Sequence, residues 1–234
     1  KDLFVLYAAF AVLIAFGIGI LSGKNIFGDR DASYEVTANI GPPPTVEPLV
    51  LKNVSRDVAK VTNDAVPVSA KPVPAAAPFF FLGSDADRAR ATDCLAATIF
   101  YEAGAEHVGG QMAVVQVVLN RARHPGYPKS VCAVVFQGHE RRTGCQFSYT
   151  CDGSMRRRPS ADSWARYRGI ASAMLNGLVY APVGLATHYH TDWVLPAWSA
   201  RLEKIRVERS HLFFRYAGYW GSPKAYRTTL SGIE

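Results

Sequence analysis

The sequence predicts a mainly helical globular domain set behind an apolar helix and a flexible tether, and three stretches of contrasting composition carry that reading. Leu3 to Leu21 contains no charge and no proline; at about 1.5 Å per helical residue it nearly spans a hydrocarbon core of about 30 Å. Residues 28–78 turn to Pro, Ala, Val and small polar side chains, with Tyr34 the one aromatic residue. From Ser84 onward apolar residues return at helical spacing, over about 150 residues, a common single-domain size.

The boundaries follow: an anchor over 1–24, a tether over 25–83, and a globular domain over 84–234. The apolar run is longer than the roughly 7–15 residues of a signal-peptide core, and no Ala-x-Ala-like cleavage site follows closely. It therefore reads as a single-pass helix in the cytoplasmic (inner) membrane. The tether, with Gly41-Pro42-Pro43-Pro44 inside it, has too little apolar surface to offset the entropy of ordering. As a flexible coil it would reach on the order of 40 Å.

Within the domain, Asp85 and Asp87 open a helix running through Cys94 and Ile99 to Glu102, with Gly104 as its stop. A second helix follows Gly109-Gly110 and runs from Gln111 to Arg121, apolar on most sides and so central to the core. A short amphipathic segment, Ser130 to Phe136, leads into the polar loop around Cys145–Cys151. A third long helix spans Ser160 to Asn176, capped by Ser160 and stopped by Gly177.

Charge is divided unevenly. Residues 1–83 hold seven basic and seven acidic groups, so the net +7 belongs to the domain, with 19 basic and 12 acidic. Such a surface favours a polyanion. No nucleic-acid-binding motif surrounds the one dense basic run, Arg156-Arg157-Arg158, which reads as a solvated face, and nucleic acid is not an expected partner. The four cysteines, Cys94, Cys132, Cys145 and Cys151, all lie in the domain. An even count beside an anchor permits two disulfides and an oxidising compartment, with three possible pairings. The short loop between Cys145 and Cys151 favours that pair, leaving Cys94 with Cys132; buried free thiols are the alternative.

Glu102 is the candidate for chemistry. Leu95, Ile99 and Glu102 share one helix face, which sets a carboxylate in line with apolar side chains. Burial there penalises the charged form and raises the pKa, as does the negative end of the helix dipole. A general acid working near neutral pH needs that shift.

The run Ala96 to Arg121, AATIFYEAGAEHVGGQMAVVQVVLNR, resembles the signature of the SleB/CwlJ-type cell-wall hydrolases. His124-Pro125, Tyr127-Pro128, Val134-Val135-Phe136, Gln146-Phe147-Ser148 and the aromatic region around Trp193, His211 and Phe213 extend the likeness over about Asp93 to Tyr216. Relatives usually carry Gly-Glu where this chain has Tyr101-Glu102. The resemblance implies a lysozyme-like, mainly helical α+β domain that cuts peptidoglycan between N-acetylmuramic acid and N-acetylglucosamine, with no cofactor. It further implies lytic transglycosylation by Glu102 as the single acid/base, with Gln146, Ser148 and Tyr149 hydrogen-bonding the sugar. Tyr101, Tyr189, Trp193 and Trp198 are candidates for stacking on sugar faces.

A hydrolytic glycosidase would need a second carboxylate, for which Glu106 and Asp152 are available. The runner-up is a zinc amidase or peptidase built on His188, His190 and His211, although no His-Glu-x-x-His pattern is present. A non-catalytic wall-binding scaffold is a third reading. The expected partners are peptidoglycan, the membrane through the N-terminal helix, and envelope or divisome proteins.

Overall fold

In a computed structural model, residues 40–46, 49–142 and 144–234 are described. The expected anchor, 1–24, lies outside them. Among the described residues no helix is long and apolar enough to cross a membrane.

The first long domain helix, α2 (Asp85–Ala103), is capped by Ser84 and not by an aspartate: Ser84 Oγ accepts from Asp87 N at 3.1 Å. It follows α1 (Arg56–Ala65), a short helix inside the expected tether. Helix α3 (Val108–Arg123) begins earlier than its glycines suggest, with His107 as N-cap and both glycines in the first turn. Gly110 is needed there because a Cβ would lie 2.9 Å from Glu106 Cβ. Helices α4 (Val131–Val135) and α5 (Ala161–Leu175) start at Ser130 and Ser160, and Gly177 continues past α5 with a φ of +99°.

Three antiparallel strands complete the unit: β1 (His188–Thr191), β2 (Glu203–Glu208) and β3 (His211–Arg215), in the order β1-β3-β2. The β2–β3 hairpin turns at Arg209, whose φ is +49°. The α+β class expected from the resemblance is thus a set of helices beside a small sheet.

Helices α2, α3 and α5 enclose the main core, with Leu95, Ile99, Leu119, Met174 and Leu175 almost fully buried. A second cluster joins α3 to the sheet through Val114, Val117, Ile205 and Phe213. Helix α3 is apolar nearly all round because it packs against helices on one side and the sheet on the other.

The tether expectation is corrected over its described part, since residues from Gly41 onward belong to the same unit as the domain. Phe79 and Phe81 are 1% and 3% exposed, and Phe81 N donates to Leu175 O at 3.0 Å. Asn63 Nδ2 donates to the carbonyls of Asp192 and Val194, while Lys204 Nζ donates to those of Asn63 and Val66. Ser69 N donates to Lys204 O at 2.8 Å. Each of these hydrogen bonds ends on a backbone carbonyl, which composition does not register, so a Pro/Ala-rich stretch packs without a core of its own.

The disulfides pair Cys94 with Cys132 and Cys145 with Cys151, joining α2 to α4 and closing the polar loop.

Candidate active site

A cavity of about 660 Å³ opens between the C-terminal end of α2, the Cys145–Cys151 loop and β1. Tyr101, Glu102, Gln146, Ser148, Tyr149, Tyr189 and Trp193 all line it. Residues scattered over about 90 positions are brought together because α2 ends here and both the disulfide loop and β1 pack across that end.

Glu102 is half-buried on the cavity wall and its pKa is pushed up to about 7, chiefly by burial. Two effects oppose the rise: a hydrogen bond from Tyr189 and the positive charge of Arg121; the negative charge of Asp152 adds to it. Tyr189 Oη donates to Glu102 Oε2 at 3.2 Å. Burial holds the Tyr189 phenol well above its ordinary pKa, so it remains a donor.

Arg121, a cation in the last turn of the mostly apolar α3, is a site residue to which the sequence assigned no role, and that placement was the available signal. It is 3% exposed, sits over the rings of Tyr127 and Phe147 at 5.4 and 5.3 Å, and donates from Nε to Thr187 O at 2.6 Å. With its amide oxygen turned toward the guanidinium, Gln146 accepts from Nη1 at 2.9 Å and Nη2 at 3.1 Å. Arg121 therefore ties both the polar loop and the residue before β1 to α3, with its charge acting on Glu102. Gln146 is a positioned wall group more than a free sugar ligand.

Tyr149 is a wall group too. It is 2% exposed, shares a 3.0 Å hydrogen bond with Thr98 Oγ1, and stacks on Tyr101 with ring centroids 4.5 Å apart. Ser148 is exposed at the cavity, and Trp193 is 41% exposed on the connection after β1. Trp198, in contrast, is 9% exposed, packed against Phe214, His188 and His190. Arg157 lies over Phe100 and Tyr101 and accepts at its carbonyl from Tyr101 Oη, so one member of the arginine run belongs to the cavity rim.

The two other carboxylates differ in setting. Glu106 Oε1 accepts from His211 Nδ1 at 3.2 Å and Ser210 Oγ at 3.4 Å, while Oε2 is buried next to Gly110 in the first turn of α3. Arg209 Nε lies 3.8 Å from that oxygen, so Glu106 ties the start of α3 to the β2–β3 hairpin. Asp152 is solvent-facing at the cavity edge. A desolvation cost on its carboxyl is outweighed by hydrogen bonds from Ser154 and Ser148 and by the Arg157 charge, which hold its pKa below the usual range.

The three histidines of the zinc reading do not converge. His188 and His190 face Trp198, with His190 stacked on Phe214 at 5.0 Å, whereas His211 lies toward Tyr189 and Glu106. Thr191, next along β1, is the residue that pairs with His211 across the sheet. Among the described residues no group of three His, Cys, Asp or Glu side chains is arranged to hold a metal ion.

The domain is thus mainly helical beside a small sheet, with a cleft lined by three carboxylates of which Glu102 has its pKa raised toward neutrality. Residues 105–214 match the family model described as Cell Wall Hydrolase, a match that supports the SleB/CwlJ-type resemblance. Glu102 lies just before the matched span, and Arg121, Gln146, Tyr189 and His211 lie inside it. A curated relative, the spore cortex-lytic enzyme of Halalkalibacterium halodurans, is 32% identical over 120 residues, covering 51% of this chain and 33% of the relative. The match thus spans a third of that relative's length. No solved structure matches the chain.

Proposed function

We propose that this domain cleaves peptidoglycan glycan strands between N-acetylmuramic acid and N-acetylglucosamine, by lytic transglycosylation with Glu102 as the single acid/base. The observation that carries the reading is Glu102 itself: a carboxyl in a cleft, raised to about 7 and hydrogen-bonded on one oxygen only by Tyr189. A group of that pKa is present in both protonation states near neutrality, as a residue that first gives and then takes a proton requires.

In the first step the Glu102 proton passes to the glycosidic oxygen as the C1–O4 bond breaks and the leaving sugar departs as an alcohol. The muramyl C6 hydroxyl then attacks C1, its proton goes to the Glu102 carboxylate, and a 1,6-anhydro ring closes. No water is consumed and Glu102 ends as it began. Through the second step the Arg121 charge and the Tyr189 hydroxyl stabilise the carboxylate.

Hydrolysis is the second reading, favoured by one observation: Asp152 lines the same cavity and is held ionised, so it is available to activate water. Purified sacculi incubated with wild type and Glu102→Gln separate the two by mass spectrometry. Anhydro-muropeptides made only by wild type support the single-acid route. Reducing-end products that are lost in Asp152→Asn support hydrolysis, and cleaved stem peptides would sink both.

The Leu3–Leu21 run and the two disulfides support placing the domain outside the cytoplasmic membrane on a single-pass anchor, near its wall substrate and any envelope or divisome partners. Carbonate extraction of membranes, followed by protease treatment of spheroplasts, tests that placement. A protein released by carbonate, or protected from external protease, would overturn it.

A further inference from the structure

Two stretches upstream of α1, residues 44–46 and 49–52, lie along the site. Val46, Leu49 and Leu51 line the cavity that holds Glu102. Pro44 and Thr45 line a second cavity of about 310 Å³, together with His188, Trp198 and Tyr216. His188 and Trp198 line both cavities, so the two spaces adjoin at these rings and the upstream segment borders each of them.

Val46 packs against the main core, and beyond it the described residues of this strap are held by two backbone hydrogen bonds. Ala197 N donates to Val50 O and Lys52 N donates to Leu195 O, each at 2.9 Å, around an isolated Leu51–Pro196 bridge. Leu49, Val50 and Leu51 are 41%, 59% and 47% exposed, so their apolar side chains are only half covered. Aliphatic side chains offer a sugar neither hydrogen bonds nor a flat ring to stack on, whereas His188, Trp198 and Tyr216 next to them offer rings. A polymeric glycan cut within the strand, moreover, extends from the site on both sides.

We propose that the two cavities are one glycan groove divided by the strap, and that an N-acetylated glycan strand displaces residues 44–46 and 49–52 to reach from Glu102 past His188 and Trp198 to Tyr216. The proposal rests on the glycan-cleaving reading above and adds to it a gate: the free chain holds its own substrate groove partly shut. Affinity is then reduced by the fraction of time the strap is closed, and weakening one of its two backbone hydrogen bonds raises apparent affinity about five- to tenfold.

The test uses the full chain in detergent, in a Glu102→Gln background so that bound glycan persists. Lys52→Pro removes the N–H that donates to Leu195 at an exposed position. Binding of the N-acetylglucosamine hexamer, measured by calorimetry, tightens about five- to tenfold in Lys52→Pro relative to the Glu102→Gln parent. Saturating hexamer also speeds amide hydrogen exchange at Lys52 and Ala197 in the parent, the reverse of ordinary ligand protection. Equal or weaker binding by Lys52→Pro, no binding by either, or slowed exchange at Lys52 overturns the gate. Cleavage is read separately on wild type: glycan that binds and lifts the strap, with no fragment released from sacculi, leaves the gate standing and removes the glycosidase reading.

Discussion

Glu102→Gln should make the unit 41–234 more stable, and only at neutral and alkaline pH. The Glu102 pKa rises from 4.5 to about 7 on folding, chiefly through burial. Between those two values the native state binds more proton than the unfolded chain, so stability falls as pH rises through the window. Below pH 4.5 the carboxyl is neutral in both states and costs nothing. Above pH 7 the full penalty is present. At about 1.4 kcal/mol per tenfold change in proton affinity, the rise corresponds to a penalty of about 3 kcal/mol. Glutamine keeps the shape and an acceptor for Tyr189 without the charge, so it removes that penalty. For a unit of this size, about 3 kcal/mol corresponds to roughly 6–12 °C in Tm. Thermal melts of both proteins, disulfides intact, from pH 4 to pH 8.5 should give coincident curves at the acid end and a gap of that order at the alkaline end. A Gln variant that melts with or below wild type at pH 8 would refute the reasoning, because Glu102 would then be a well-compensated carboxylate throughout and unsuited to proton donation near neutrality.

Other perturbations follow from the same geometry. Tyr189→Phe removes a hydrogen bond that favours the ionised form, so the alkaline limb of kcat/KM on sacculi should move above pH 7, and kcat should fall about tenfold; an unmoved limb would place Tyr189 outside the proton economy of Glu102. Replacing Cys94 and Cys132 by Ser opens a link of sequence separation 38 and should cost about 4 kcal/mol by the loop-closure model, read in denaturant unfolding. The same change at Cys145 and Cys151, of separation 6, should cost about 2 kcal/mol yet lower kcat/KM more, because it releases the loop that carries Gln146 and Tyr149. Phe79→Ala should cost about 3–5 kcal/mol, since the ring is buried beneath the Arg123 guanidinium; a change under 1 kcal/mol would restore the flexible-tether view of that segment.

The helices of the domain were legible because helix formation and its ends are local. Ser130, Ser160 and Gly177 each do what their side chains dictate within a few residues. The start of α3 was misjudged for the opposite reason: Gly110 stays helical because Glu106, held by His211 on a distant strand, needs the space a side chain would fill. The β2–β3 hairpin was missed because its turn runs through Arg209 at positive φ, with no glycine or Asn-Gly to announce it. Tyr149 read as a sugar ligand, yet Thr98 and Tyr101 claim it for the wall, a contact between α2 and the loop that no spacing encodes.

The sequence alone, through local periodicity and the company of Glu102, determined the helical class, the family resemblance, the two favoured cysteine pairs and the identity of the candidate acid. The tertiary structure alone decided that Arg121 holds Gln146 and sets its charge near Glu102, that Glu106 is tied to His211, that His211 stands apart from His188 and His190, and that the described residues between 41 and 83 are part of the fold. The division has a physical cause: a helix face or a cap is set by neighbours within a turn, whereas desolvation, charge coupling and backbone ties between distant segments exist only once the chain has brought them together.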